Sequence, residues 1–322
     1  MNELDILNLP SDPFELRGKL FSYGIESRID FSIQFIKNRY SNSEHLYKCC
    51  DFFDSIYLNV FKDSTWELNK HSRFPYVEAK HQFDYSIKHI LIGSYKAGFD
   101  YLRSCLELTI VSIYFSFQKN LIEDGEWFIM EPQELIKYLQ DERKWVNSNS
   151  NTPFFSKMIK RIGSNDRFKD LNDEYSYFNE LQSHYNILCD YIHVKGYDFG
   201  IGNMNSLRTF ISGSSLPTIN EESLNTYLNI LTETVEHIVL LVALYNPIIL
   251  IELPLEDKFG LNEPVGFVHP WQSQGINDLI KIKYKPFIDK IKREDPEVIS
   301  QKEWVNSLQD LTEEEITKQY KN

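Results

Sequence analysis

The sequence predicts an all-α protein, a multi-helix bundle with a mostly helical C-terminal appendage. Three observations carry that expectation. Apolar residues recur at steps of three and four along most of the chain, and the longest such pattern runs from about Tyr76 to Phe117. Strand-like alternation is almost absent, and only Ile248 to Leu253 reads as a short extended piece. The composition is globular (42% hydrophobic, 25% charged), with 22 Phe and 19 Tyr against only 13 Gly. Large, rigid rings suit the spaces between helices.

The elements follow in order. Residues 1–25 hold two prolines and two glycines and read as an irregular lead-in. The bundle is expected over 26–255. Helical spacing covers Ser27 to Tyr40 and Ser43 to Phe61, and the polar stretch Asp63 to Pro75 is a connection. One long helix is expected next. Its stripe is Phe83, Ile87, Ile90, Ser94, Phe99, Leu102, Leu106, Ile110, Ile113 and Phe117, with Gly93 and Gly98 as weak points. Glu131 to Lys144, Pro153 to Ile162 and Arg167 to Ile192 continue the helical theme. Glycines 196, 200, 202 and 213 mark the longest loop, after which a capping box at Thr218 to Glu221 opens another helix. That helix carries Leu224, Leu228, Leu231, Val235, Ile238, Val242 and Tyr245. From 256 to 322 the appendage begins with a Gly- and Pro-rich surface loop. It continues in a basic run, Lys281 to Arg293, and closes in an acidic tail from Glu294.

Bulk properties narrow the function classes. A chain of 322 residues can bury a large core. A net charge of -13 is unsuited to non-specific attraction to a phosphate backbone, though a local basic patch leaves RNA open as a partner. The four cysteines include no Cys-x-x-Cys and read as reduced core residues of a cytoplasmic protein. The N-terminus, with Glu3, Asp5 and Pro10, is unlike a signal peptide. The best membrane candidate, Ile238 to Ile251, is interrupted by Asn246-Pro247 and too short to span, so no membrane association is expected. Phosphate loops, Gly-rich dinucleotide turns and His-Glu-x-x-His are all missing, and the eight histidines are scattered. No cofactor and no metal is expected.

Three constellations remain. Asn186, Asp190 and His193 fall within a narrow arc of one helix, with Tyr185 and Tyr191 nearby. A histidine one turn from a carboxylate suits acid–base work; a cation before the terminal Gly196 equally suits helix capping. Arg103 and Glu107, four apart beside the Leu102–Leu106 stripe, form either a wall of a site or an intrahelical ion pair. Lys281, Lys283, Lys285, Lys290, Lys292 and Arg293 offer a contact for phosphate or an acidic partner, or a solvated face neutralised by the acidic tail. Glu233 and His237, one turn apart, read as an exposed pair.

The segments Tyr101-Leu-Arg-Ser-Cys-Leu-Glu107 and Tyr185-Asn-Ile-Leu-Cys-Asp-Tyr-Ile-His193 resemble the two central helices of HEPN-like domains. These domains occur in bacterial abortive-infection and toxin–antitoxin systems. The similarity covers about residues 80–247, roughly half the chain. It implies a helical bundle, often a dimer, and in active members a metal-independent ribonuclease with an Arg and a His on one helix. His193 matches the family histidine, but the Arg position falls at Asn186. The resemblance therefore implies a sensor, scaffold or partner-binding component of a phage-defence or stress-response system, working through a protein partner or as a homodimer. Two alternatives stand beside it. One is a ribonuclease using His193 as acid–base, Arg103 as phosphate stabiliser and Asn186 or Tyr185 to position substrate. The other is a plain protein–protein interaction module.

Overall fold

The computed structural model describes residues 25–40, 44–59, 70–119, 144–148, 150–193, 221–260 and 266–319. The protein is an all-α bundle, with no strand among the described residues. Its helices are α1 (Ile25–Tyr40), α2 (Glu44–Asp51), α3 (Lys70–Leu91), α4 (Tyr95–Lys119), α5 (Phe155–Ile162), α6 (Asp166–Tyr175) and α7 (Tyr177–His193). They continue as α8 (Glu221–Tyr245), α9 (Leu255–Phe259), α10 (Pro270–Leu279), α11 (Lys285–Glu294), α12 (Pro296–Ser307) and α13 (Glu313–Gln319). The lead-in, most of Glu131 to Lys144, the loop holding glycines 196 to 213 and Thr218 of the capping box lie outside the described residues.

The stripe expected to form one long helix forms two. Gly93 adopts φ +84°, a left-handed conformation that glycine takes without steric cost, and ends α3. Gly93 N–H donates to Ile90 O (3.0 Å) and Ser94 N–H to His89 O (2.9 Å), the paired bonds of a Schellman stop. Helix α4 then runs back antiparallel along α3. At Gly98 the approach is so close that a Cβ would clash with Ile90, and Ser86 Oγ donates to Gly98 O at 2.6 Å. The connection before this hairpin is shorter than expected: α3 begins at Lys70, and Pro75 lies buried inside it.

Rings fill the spaces, as the composition implies. Phe53 stacks on Phe83 (centroids 4.0 Å apart) and Tyr57 on Tyr76 (3.9 Å). The Tyr57 and Thr109 hydroxyls bond at 2.8 Å, and Tyr76 donates to Tyr57 O at 2.6 Å. These buried tyrosine hydroxyls are thus all hydrogen-bonded.

Helix α8 is the central element. Leu224, Leu228, Leu231, Val235 and Ile238 are buried as the periodicity predicts, and from His237 to Tyr245 every residue is buried on every face. Among the described residues α8 alone is long and apolar enough to cross a membrane, and 78% of its most apolar window is packed inside this fold. A second expected helix also divides. Ser176, at φ 54°, separates α6 from α7, and the Asn172 side chain takes up the Phe178 N–H at 3.0 Å.

Beyond Leu255 the chain stays in contact with the bundle. Ile276, Leu279, Tyr284, Phe287, Ile288 and Ile291 join the main core, while Ile248, Ile251, Leu253, Leu255, Val298 and Val305 form a smaller one. The expected extended piece at 248–253 is instead a 3₁₀ turn over Pro247–Leu250, with extended backbone only from Ile251. The Gly- and Pro-rich stretch is partly helical, since it contains α9 and the start of α10. Arg167 on α6 pins the far end. It donates to Asp295 (2.5 and 2.9 Å) and Glu297 (2.7 Å), while Asp295 caps α12 by accepting from Glu297 N–H and Val298 N–H.

Candidate functional site

Helix α7 packs between α4 and α8, and polar groups gather on both flanks. On the α4 flank, Arg103 and Glu107 meet Tyr185 and Cys189. Arg103 is 25% exposed, pairs with Asp100 at 3.5 Å, and keeps its Nε buried with no hydrogen-bond partner. Burial pushes the Glu107 carboxyl up, and the opposing pull of Arg103 and the Tyr185 hydroxyl does not cancel it. The Tyr185 ring stacks on Phe155 with centroids 3.9 Å apart, which fixes its position.

The residues expected to complete a site there are placed differently. Asn186 is exposed and accepts from Gln182 Nε2 at 3.0 Å. Asp190 is half-buried, and His193 stands exposed as the last residue of α7. Among the described residues no contact joins Arg103 to His193. The structure thus assembles Arg103, Glu107 and Tyr185 and leaves Asn186 and His193 on the outer face.

The α8 flank holds a cluster that the sequence reading missed. Glu180 and His184 on α7 face Glu233 and His237 on α8. The expectation of an exposed Glu233–His237 pair is overturned at His237, which is 1% exposed; Glu233 is 42% exposed. His184 is equally buried, at 2%. The ligand atoms of His184, Glu233 and His237 lie within 4.8 Å of one another.

Hydrogen-bond accounting fixes the tautomer of His184. Thr234 Oγ1 donates to Ile230 O at 2.7 Å, so its proton is committed. His184 Nε2, 2.8 Å from that oxygen, is therefore the N–H donor. In the neutral ring Nδ1 is then a bare lone pair aimed at Glu233 Oε2, 3.3 Å away. Neither His184 Nδ1 nor His237 Nε2 has a hydrogen-bond partner. Burial above all, with the Lys281 ammonium nearby, pushes the His237 imidazole down to about 3.

A lysine from the basic run closes the cluster. Lys281 Nζ lies 3.0 Å from Glu180 Oε1, 3.4 Å from Glu233 Oε1 and 3.7 Å from Glu236 Oε2. Lys283 also pairs with Glu180, and Tyr284 OH donates to it at 2.8 Å. Burial alone would push Glu180 up, but these three donors outweigh it and hold the carboxyl down at about 2. On Glu236, Oε1 lies 2.9 Å from His45 Nε2. The first two lysines of the run are therefore neutralised within the chain, by α7 and α8. The acidic tail does not neutralise these two, since its Asp295 and Glu297 serve Arg167, but its Glu294 lies 3.9 Å from Arg293 of the run. Lys285, Lys290 and Arg293 stay exposed, while Lys292 is half-buried and its ammonium is pushed down by burial.

One signal for this cluster was present in the sequence. Glu-x-x-x-His occurs at Glu180–His184 and again at Glu233–His237, placing a carboxylate and an imidazole one turn apart on each helix. Nothing in one dimension says that the two pairs face each other. No family model, curated protein or solved structure matches the chain.

Proposed function

We propose that this chain is a HEPN-like helical protein that acts by binding a partner, as a sensor or scaffold component of a bacterial phage-defence or stress-response system. The observation that carries the non-catalytic part is the state of the α4–α7 pair. Asn186, standing where the ribonuclease arginine is expected, is exposed and occupied with Gln182. Arg103 is engaged with Asp100 and with the Tyr185–Cys189 face of α7. A ribonuclease needs a cation and a histidine free to address one phosphate. The defence setting rests on the resemblance, and the cytoplasmic location on reading the four cysteines as reduced.

The partner is a protein or a second copy of the chain. Phe31, Gln34, Phe35 and Asn38 on one face of α1, with Glu221 of α8, line a groove of about 340 Å³ that suits an apolar anchor. Incubation of the purified chain with RNA in the presence of a chelator tests the reading. No cleavage is expected. Metal-independent cleavage that disappears in His193→Ala would overturn it and install the ribonuclease alternative. One observation favours that alternative: Arg103 meets α7 at Cys189, one turn before His193.

A further inference from the structure

We propose that His184, Glu233 and His237 bind a divalent transition metal, zinc by preference, between α7 and α8. The site lies apart from the α4–α7 pair and does not depend on the partner-binding reading.

The argument begins with two unsatisfied atoms. His184 Nδ1 and His237 Nε2 are buried and without hydrogen-bond partners, on side chains 2% and 1% exposed. Leaving a desolvated polar atom unmade costs on the order of 1–3 kcal/mol, so two side by side require an explanation. In the neutral ring the tautomer argument makes His184 Nδ1 a lone pair, and it faces a carboxylate oxygen 3.3 Å away, where two acceptors repel. A proton on Nδ1 would resolve that contact but leave His237 Nε2 orphaned, since its nearest carboxylate oxygen is Glu180 Oε1 at 4.0 Å. One cation among the three groups satisfies both nitrogens and the carboxylate together.

Geometry and charge agree with a metal. Bonds of about 2.0–2.1 Å to nitrogen and oxygen give a tetrahedron whose edge is about 3.3–3.4 Å. The His184 Nδ1–Glu233 Oε2 separation of 3.3 Å fits such an edge; the full set lies within 4.8 Å, so the His237 ring draws in on binding to complete it. Three carboxylates (Glu180, Glu233 and Glu236) face two ammonium groups (Lys281 and Lys283), so the cluster carries surplus negative charge before an ion is added. Lys281 addresses Glu233 through Oε1, which leaves Oε2 for the metal. Two imidazoles and one carboxylate select a borderline transition metal over magnesium or calcium. Glu180 is the nearest further ligand, and the exposed side of Glu233 gives the ion a way in.

The test uses the full chain, stripped with a chelator. Zinc titrated by calorimetry is expected to bind at one equivalent and to raise the melting temperature, while magnesium does neither. Cobalt(II) in its place is expected to give the intense visible bands of a tetrahedral site. His237→Gln and Glu233→Gln should each weaken zinc by more than about 100-fold, beyond the loss typical of an outer-shell change. His193→Gln, on an exposed histidine of the same helix, should leave binding intact. Absence of stoichiometric zinc and of cobalt bands in the wild-type chain overturns the site however the variants fold. Zinc retained at full affinity by folded His237→Gln also overturns it.

Discussion

The two flanks of α7 differ in how completely they satisfy their polar groups. Toward α4, Glu107 bonds Tyr185, Arg103 pairs with Asp100, and a stacked Phe155 holds the tyrosine. Only Arg103 Nε is left over. Toward α8, Lys281 satisfies the carboxylates, yet two buried imidazole nitrogens from rings 5.0 Å apart stay unpaired. A network saturated from within needs no ligand. One that is desolvated, convergent and incomplete is shaped for something absent from the chain itself.

The largest effect expected is common to both flanks. Leu188 is fully buried in the core beneath them, and Leu188→Ala should cost about 2–5 kcal/mol in a denaturant melt. Loss below ~1 kcal/mol would mean that α7 is not packed as described. The flanks should then separate. At a hundredfold excess of zinc over its dissociation constant, wild type should gain about 2.7 kcal/mol and Glu233→Gln almost nothing. On the α4 flank, Arg103→Gln should cost about 1–2 kcal/mol with or without zinc. A zinc-dependent cost there would erase the distinction between the flanks.

The clamp at Arg167 provides a saturated network with a pH signature. Burial pushes Asp295 up, but Arg167 and two backbone N–H groups outweigh it and hold the carboxyl below its ordinary 3.8. A lowered folded value means that its contribution is fully present above about 3.8 and is lost as pH falls toward the folded value. Acid melts should therefore show a drop below pH ~4 that Asp295→Asn removes. A wild-type curve unchanged by that substitution would contradict the clamp. The smallest effect belongs to the outer face: Asn186→Ala and His193→Ala should each shift stability by less than about 0.5 kcal/mol.

Much of the fold was legible because helical periodicity records burial directly, as the Leu224–Ile238 stripe shows. The breaks were less so. Gly93 was visible as a weak point, but the apolar spacing runs on through it because both arms of the hairpin bury a face. Ser176 gave no signal, since a serine in left-handed backbone is stabilised by its surroundings and not by its own preference. The site was legible only in pieces. His237 stands one residue off the α8 stripe, which suggests solvent until Lys281 and the facing α7 cover that side. The basic run looked available because its acidic partners, Glu180, Glu233 and Glu236, lie far away in sequence.

The claim that the α8 flank of α7 is built for an ion is tested most directly by anomalous diffraction. A crystal of the full chain grown with zinc, measured above and below the zinc edge, should show one strong peak bounded by His184 Nδ1, Glu233 Oε2 and His237 Nε2. A peak-free cluster, with Lys281 alone filling the space among the carboxylates, would contradict the account.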